Sequence, residues 1–160
     1  MVELADVRDF FFKAMMKGWI GDDADAQGFD VQGNKTFTFR DGNLCLVDSY
    51  FTTLLGPGSA GTTTIRFRDN PVWFMQYGGW YEGEAAECVK AALRETYGKC
   101  KFVGGRGPIV RLDGPLLYVN WPNRNDFSFF SGREQVFGPN DKVFGWHEYW
   151  GMSLIGPPSA

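Results

Sequence analysis

Lys35-Thr-Phe-Thr-Phe-Arg-Asp-Gly-Asn-Leu-Cys-Leu-Val-Asp-Ser-Tyr50 decides the fold class of this chain. Phe37 and Phe39 alternate with polar residues, the two-residue period of a strand with one buried face. Asp41-Gly42 follows at once. A tight turn between antiparallel strands needs positive φ at its centre, which glycine adopts without steric cost, so this pair predicts a hairpin. The apolar run Leu44–Val47 then brings the chain back along the first strand.

The same pattern recurs downstream. Residues 62–68 set Thr63, Ile65 and Phe67 on one face and Thr62, Thr64, Arg66 and Arg68 on the other. Asp69-Asn70-Pro71 turns the chain into Val72–Tyr77, where Trp73, Met75 and Tyr77 share a face. Ile109–Leu112 and Leu116–Asn120 flank a second Asp-Gly pair at 113–114. Asn125–Phe130, Glu134–Phe137 and Val143–Trp150 read as further strands, the last two joined through Pro139-Asn140-Asp141.

Two segments carry the helical period instead. Leu4, Val7, Phe11, Ala14 and Met15 predict a helix over 3–18, widened by Phe10, Phe12, Met16 and Trp19 and stopped by Gly18 and Gly21. Ala85, Val89, Ala92, Leu93 and Thr96 predict a second over 81–97, ended by Gly98. Its Glu82, Glu84 and Glu87 precede Lys90 and Arg94, the order that complements the helix dipole. Residues 21–34 read as a polar loop; Asp22, Asp23 and Asp25 resemble the start of a calcium loop, but Gly28 and Asn34 do not meet its spacing. The order helix, strands, helix, strands predicts one α+β domain over 1–155, with about seven to nine largely antiparallel strands curled around the helices. Residues 156–160 form a tail.

Composition narrows the function classes. At 160 residues, with 22% charged and 44% hydrophobic residues, the chain is long enough for one well-buried core. Sixteen basic against 19 acidic side chains leave a net charge of −3, which argues against nucleic-acid binding by this chain itself. No apolar run nears the ~20 residues of a membrane span. The N-terminus has no signal-peptide pattern, and three cysteines with no pairing pattern predict reduced thiols and a cytoplasmic protein. Cys45, between Leu44 and Leu46, reads as a small buried hydrophobe. With one histidine and no metal-type cysteine spacing, neither a metal nor a cofactor is predicted.

Gly56-Pro57-Gly58-Ser59-Ala60-Gly61 matches the dinucleotide pattern G-x-G-x-x-G, yet Thr62–Ile65 behind it reads as a strand, not the helix that would hold pyrophosphate. Gly104-Gly105-Arg106-Gly107-Pro108 admits two readings. Its N–H groups could form an anion nest with Arg106 as a fork, or Arg106 could pin the loop to the sheet through a carboxylate. In Val143–Trp150, alternation puts His147 beside Tyr149 and opposite Trp146, Glu148 and Trp150. Neither G-x-S-x-G nor H-E-x-x-H is present.

Phe, Tyr and Trp make up 17% of the chain, and five of the six tryptophans lie beyond residue 70. Such rings fill a β-rich core or wall a pocket. The reading that follows is a small-molecule-binding, sensor-like domain. Its walls would be Trp73, Tyr77, Trp80, Tyr118 and Trp150, its anchors Arg106 and Glu134. The alternative is a cofactor-free isomerase, cyclase or lyase on a hydrophobic metabolite, with Glu134, His147 or Asp48 as general acid or base. A third is an interaction module whose exposed rings bind a partner or build a homodimer.

A set of short motifs adds a resemblance. Asp48-Ser49-Tyr50, Pro71–Gly78, Arg106-Gly107-Pro108, Tyr118-Val119-Asn120, Phe130–Glu134 and Tyr149-Trp150-Gly151, in this order, resemble a mostly bacterial domain family of unknown function. Its members stand alone or follow a helix-turn-helix DNA-binding domain. The similarity runs from about Asp9 to Leu154, with Thr52 where the family has glycine and Thr62-Thr63 where it has an acidic residue. The resemblance implies the extent of the fold and a sensor role, and it transfers no catalytic residue.

Overall fold

Nine strands, each antiparallel to its neighbours, form one sheet in the computed structural model, which describes residues 1–18, 20, 21 and 27–156. They are β1 (Gln27–Phe29), β2 (Lys35–Asp41), β3 (Leu44–Thr52), β4 (Gly58–Phe67), β5 (Asn70–Tyr81), β6 (Val110–Asp113), β7 (Leu116–Asp126), β8 (Phe129–Phe137) and β9 (Val143–Ser153). The helices are α1 (Leu4–Met15) and α2 (Gly83–Gly98). The spatial order β1-β2-β3-β4-β5-β9-β8-β7-β6 is two meanders, β1–β5 and β6–β9, joined where β5 pairs with β9. Helix α2 carries the chain from the middle of the sheet to its far edge.

The turns follow their residues. The β2–β3 hairpin forms, but its two turn residues are Gly42, with φ of 56°, and Asn43, one step later than the sequence predicts, because Asp41 pairs with Leu44 as the last residue of β2. The β4–β5 turn falls one step earlier than the sequence predicts, on Arg68 and Asp69 with φ of 47° and 67°. Positive φ at both central residues matches the twist of the flanking strands. Asn70 and Pro71 therefore already belong to β5. Residues 125–130, read as one strand, are a hairpin around Phe127-Ser128, where the Asp126 carboxylate accepts the Ser128 N–H at 2.7 Å. Two regions expected to be loop are strand: Gln27–Phe29 adds the edge strand β1, and β4 begins at Gly58 within the glycine-rich stretch. Trp19, Asp22, Asp23, Asp25 and residues 157–160 lie outside the described residues.

Both helices cover the same face. α1 lies over β2 and β3, and α2 over β5, β7 and β8. They bury Phe10, Phe11, Ala14, Cys88, Ala92 and Tyr97 against Phe37, Leu46, Ile65, Met75, Phe130 and Val136 of the sheet. Trp73 is the centre of this core, with Phe127 and Phe130 stacked 5.1 and 5.3 Å away and Phe11 at 5.1 Å. Its indole N–H donates to the Phe127 carbonyl at 3.0 Å, so the ring is buried without an unpaired polar atom. No described helix is long and apolar enough to cross a membrane.

Candidate functional site

The loop between α2 and β6 holds Arg106 at a fixed point over the sheet. Gly104 N–H donates to Asn125 Oδ1 at 2.7 Å, Arg106 N–H to the Val103 carbonyl at 3.1 Å and Gly107 N–H to the Tyr118 hydroxyl at 3.0 Å. Asn120, fully buried on β7, donates to the carbonyls of Val103 and Gly107, and Tyr97 on α2 donates to that of Gly105. These N–H groups are committed internally, so the loop is not an anion nest. The other reading is the one seen: Arg106 pins the loop to the sheet through Glu134.

Glu134, on β8, has no exposed surface. Its Oε1 accepts from Arg106 Nε at 2.9 Å, from Arg106 Nη2 and from the Tyr81 hydroxyl at 2.9 Å; its Oε2 accepts from the Tyr118 hydroxyl at 2.5 Å. Burial pushes the carboxyl upward, but the Arg106 charge, with hydrogen bonds from Arg106 and Tyr118, outweighs it and holds Glu134 below its usual value. Burial would lower Arg106, yet Glu134 keeps it well above the ordinary arginine range. The pair is therefore fully charged and its carboxylate fully occupied. Burial first, and the Glu134 charge second, raise Tyr81 and Tyr118 well above ordinary phenols.

In front of Arg106, between the helices and the sheet, lies a cavity of about 200 Å³. Met15, Ala86, Val89 and Leu93 give it an apolar wall from the helices, with Lys90 of α2 beside them, while Asp48, Ser59, Tyr77, Tyr81 and His147 of the sheet and Arg106 of the α2–β6 loop give it a polar one. Cross-strand register assembles that wall. Ser59 faces Gly79, and Gly79 faces His147, so the first and last of these sit two strands apart. Because Gly79 has no side chain, Ser59 Oγ and His147 Nε2 meet over it at 3.1 Å. A Cβ on Gly79 would lie 2.0 Å from the Trp146 carbonyl oxygen. Asp48 faces Thr63 directly and accepts its hydroxyl at 2.5 Å, and the Tyr77 hydroxyl reaches the same carboxylate at 3.1 Å. The Arg106 guanidinium lies 5.5 Å from the centre of the Tyr77 ring.

His147 stacks on Tyr77 at 5.8 Å and lies against Tyr81, tilted by 42°, at 4.5 Å. Burial, then the Arg106 charge, push its pKa down to about 4, so the imidazole is neutral at pH 7. Its Nδ1 is buried with no hydrogen-bond partner among the described residues. The Ser59 hydroxyl and His147 Nε2 can each donate or accept in their contact, according to which ring nitrogen carries the proton.

The structure sorts the sequence-predicted residues by face. Asp48, Tyr77, Arg106 and His147 line the cavity. Glu134 and Tyr118 stand behind Arg106 as its hydrogen-bonded support. Trp73 is core, not wall. Trp80 and Trp150 belong to the outer face, since alternation along β5 and β9 turns them away from Tyr77 and His147. Ser59 and Tyr81 were missed. Tyr81 continues the 73-75-77-79-81 alternation, but the sequence reading starts α2 there, and Ser59 sits in a stretch read as loop. The glycine-rich 56–61 segment leads into β4 without a helix, which removes the dinucleotide reading. Cys45 is buried, and burial raises Cys88 to about 11, far from a reactive thiolate.

Comparisons of the chain with protein-family models, with curated proteins and with solved structures return no match.

Proposed function

We propose that this chain is a small-molecule-binding domain whose ligand occupies the cavity between the helices and the inner face of the sheet. The observation that carries the reading is a cavity of about 200 Å³ with an apolar wall on one side and fixed polar groups on the other. A cavity of ~150 Å³ admits benzene, so the ligand is a single ring or a short branched chain with one or two polar atoms. Asp48, Ser59 and His147 meet those atoms. Tyr77 and Tyr81 flank the ring. Arg106 sets the electrostatic tone without being free to grip an anion alone, since Glu134 neutralises it.

Binding is favoured over acid–base catalysis through His147 or Glu134 by the state of those two groups. A general base works best with a pKa near the working pH. His147 at about 4 is a weak base, and both Glu134 oxygens are already occupied. These groups suit a rigid polar wall rather than a proton shuttle.

A thermal-shift screen of aromatic acids, phenols, amines and short branched acids tests the proposal. A ligand at about 100 times its Kd adds ~2.7 kcal/mol, and at ~2–4 °C per kcal/mol the midpoint rises by roughly 5–10 °C. Ala86→Phe, on the partly exposed flank of α2, fills the cavity. It should abolish that rise while leaving the ligand-free midpoint within a few degrees. A ligand whose shift survives Ala86→Phe binds elsewhere and overturns the proposal.

A further inference from the structure

The outer face of the sheet, away from both helices, carries a groove of about 1200 Å³. Register lays out its floor and walls. Ser49, Thr62, Gln76, Trp150 and Ser131 form one row across β3, β4, β5, β9 and β8. The next row is Phe51, Ala60, Gly78, Glu148, Arg133 and Trp121. Small side chains at Ala60, Gly78 and Ser131 leave a trough, and the large rings stand around it. A Cβ on Gly78 would already lie 3.2 Å from the Ala60 Cβ, so the floor is as low as the sheet allows.

The polar groups of this groove are held in place. Arg133 lies over the Trp146 ring at 4.4 Å, donates to Gln135 at 3.1 Å and meets Glu148 at 3.4 Å. Trp121 is 46% exposed, an unusual position for an indole, and meets Phe137 in a T-shaped pair with ring centres 6.1 Å apart. Gln76 and Asn123 are exposed and present planar amides.

These features select a ligand class. One arginine stands against Glu148 and Asp30, so the groove repels polyanions. A purely apolar ligand would strip water from Gln76, Asn123, Arg133 and Glu148 without replacing its hydrogen bonds. An extended peptide needs backbone partners, which sheet edges supply and a sheet face does not. A pyranose chain fits each demand: its C–H faces stack on indoles, its hydroxyls both donate to and accept from amides and an ion pair, and it carries no charge. From β3 to β7 the second row crosses five strand spacings, about 24 Å, room for several sugar rings. We propose that the outer groove binds a neutral oligosaccharide, with Trp121 and Trp150 as stacking platforms and Gln76, Asn123 and the Arg133–Glu148 pair on its hydroxyls.

The test is affinity electrophoresis of the full chain through gels containing β-glucan, xylan, mannan or starch. Tryptophan fluorescence titration with the matching hexasaccharide follows. At least one polysaccharide should retard the protein. Trp121→Ala and Gln76→Ala, both at exposed positions, should each weaken binding at least ten-fold, and Ala86→Phe in the inner cavity should not change it. Retardation by none of the four, binding indifferent to Trp121→Ala, loss of binding in Ala86→Phe, or capture of peptides in place of glycans would each overturn the proposal. Because Ala86→Phe acts on the inner cavity alone, the two sites fail separately.

Discussion

Glu134→Gln removes one negative charge from a site in which the Arg106 side chain is 7% exposed. Arginine cannot discharge by losing its proton, so the variant keeps a buried cation without a counter-ion. The amide also brings its own donor to a place already crowded with donors. Arg106 and Tyr81 converge on Oε1, and Tyr118 on Oε2. Tyr118 already accepts the Gly107 N–H, so its hydroxyl has little capacity to accept a second donor and its own proton loses a partner. Breaking one side of a buried pair costs roughly 3–5 kcal/mol, a large share of the ~5–15 kcal/mol that holds a typical domain. At ~2–4 °C per kcal/mol for a chain of this length, Tm should fall by roughly 6–20 °C.

The internal control is Glu148→Gln on the outer face, where Arg133 and Glu148 are 40% and 66% exposed and 3.4 Å apart. Water already solvates that pair, so its loss should cost at most ~1 kcal/mol. Urea unfolding followed by tryptophan fluorescence measures both variants, and Arg106→Met with the double variant completes a cycle. Removing both charges eliminates the unpaired cation, so the double variant should be more stable than the sum of the single losses predicts, by at least ~1–2 kcal/mol. Glu134→Gln no worse than Glu148→Gln, or losses that simply add, would refute the assignment of Arg106–Glu134 as a coupled buried pair.

Three further outcomes follow. His147 has an ordinary pKa of 6.5 lowered to about 4 in the fold. The unfolded chain therefore binds the proton first, and stability is full above pH 6.5 and falls as pH drops toward 4. That loss amounts to ~3 kcal/mol at 1.36 kcal/mol per pH unit. Glu134 contributes in a lower window, below the ordinary carboxylate value of 4.5. His147→Gln should flatten the profile between pH 6.5 and 4 in pH-dependent urea titrations; an unchanged slope would show that another group carries it. Gly79→Ala, with its Cβ 2.0 Å from the Trp146 carbonyl, should prise β5 from β9 and abolish cooperative near-UV circular dichroism melting. A variant that melts like the parent would be inconsistent with that contact. Trp73→Leu removes the ring between Phe127 and Phe130 and should cost ~3 kcal/mol or more by chemical denaturation.

How much of this was legible in the residues depends on range. Alternation from Trp73 to Tyr77 placed those side chains on one face, and the same parity turns Trp80 away from Tyr77 and Trp150 away from His147, so the outward direction of both rings was already written there. Gathering them into one set of walls with Tyr77 mixed the two faces of the sheet. Trp73 is the opposite case: it shares the inner face with Tyr77, yet becomes core because Phe11 of α1 and Phe127 of a distant hairpin close over it. No local pattern announces that. Arg106 and Glu134, 28 residues apart, were each readable as charged and interesting, but only the crossing of α2 over the sheet brings them together.

The sequence alone determined the α+β class, the antiparallel hairpins and the two helices, because the periods of strand and helix are properties of the backbone and leave their mark on neighbouring residues. The tertiary structure alone decided that β5 pairs with β9, that Ser59 and His147 meet over Gly79, and that the helices leave a cavity in front of Arg106. Those relations join residues far apart in the chain. They exist only once burial of apolar surface has chosen which elements cover which face of the sheet.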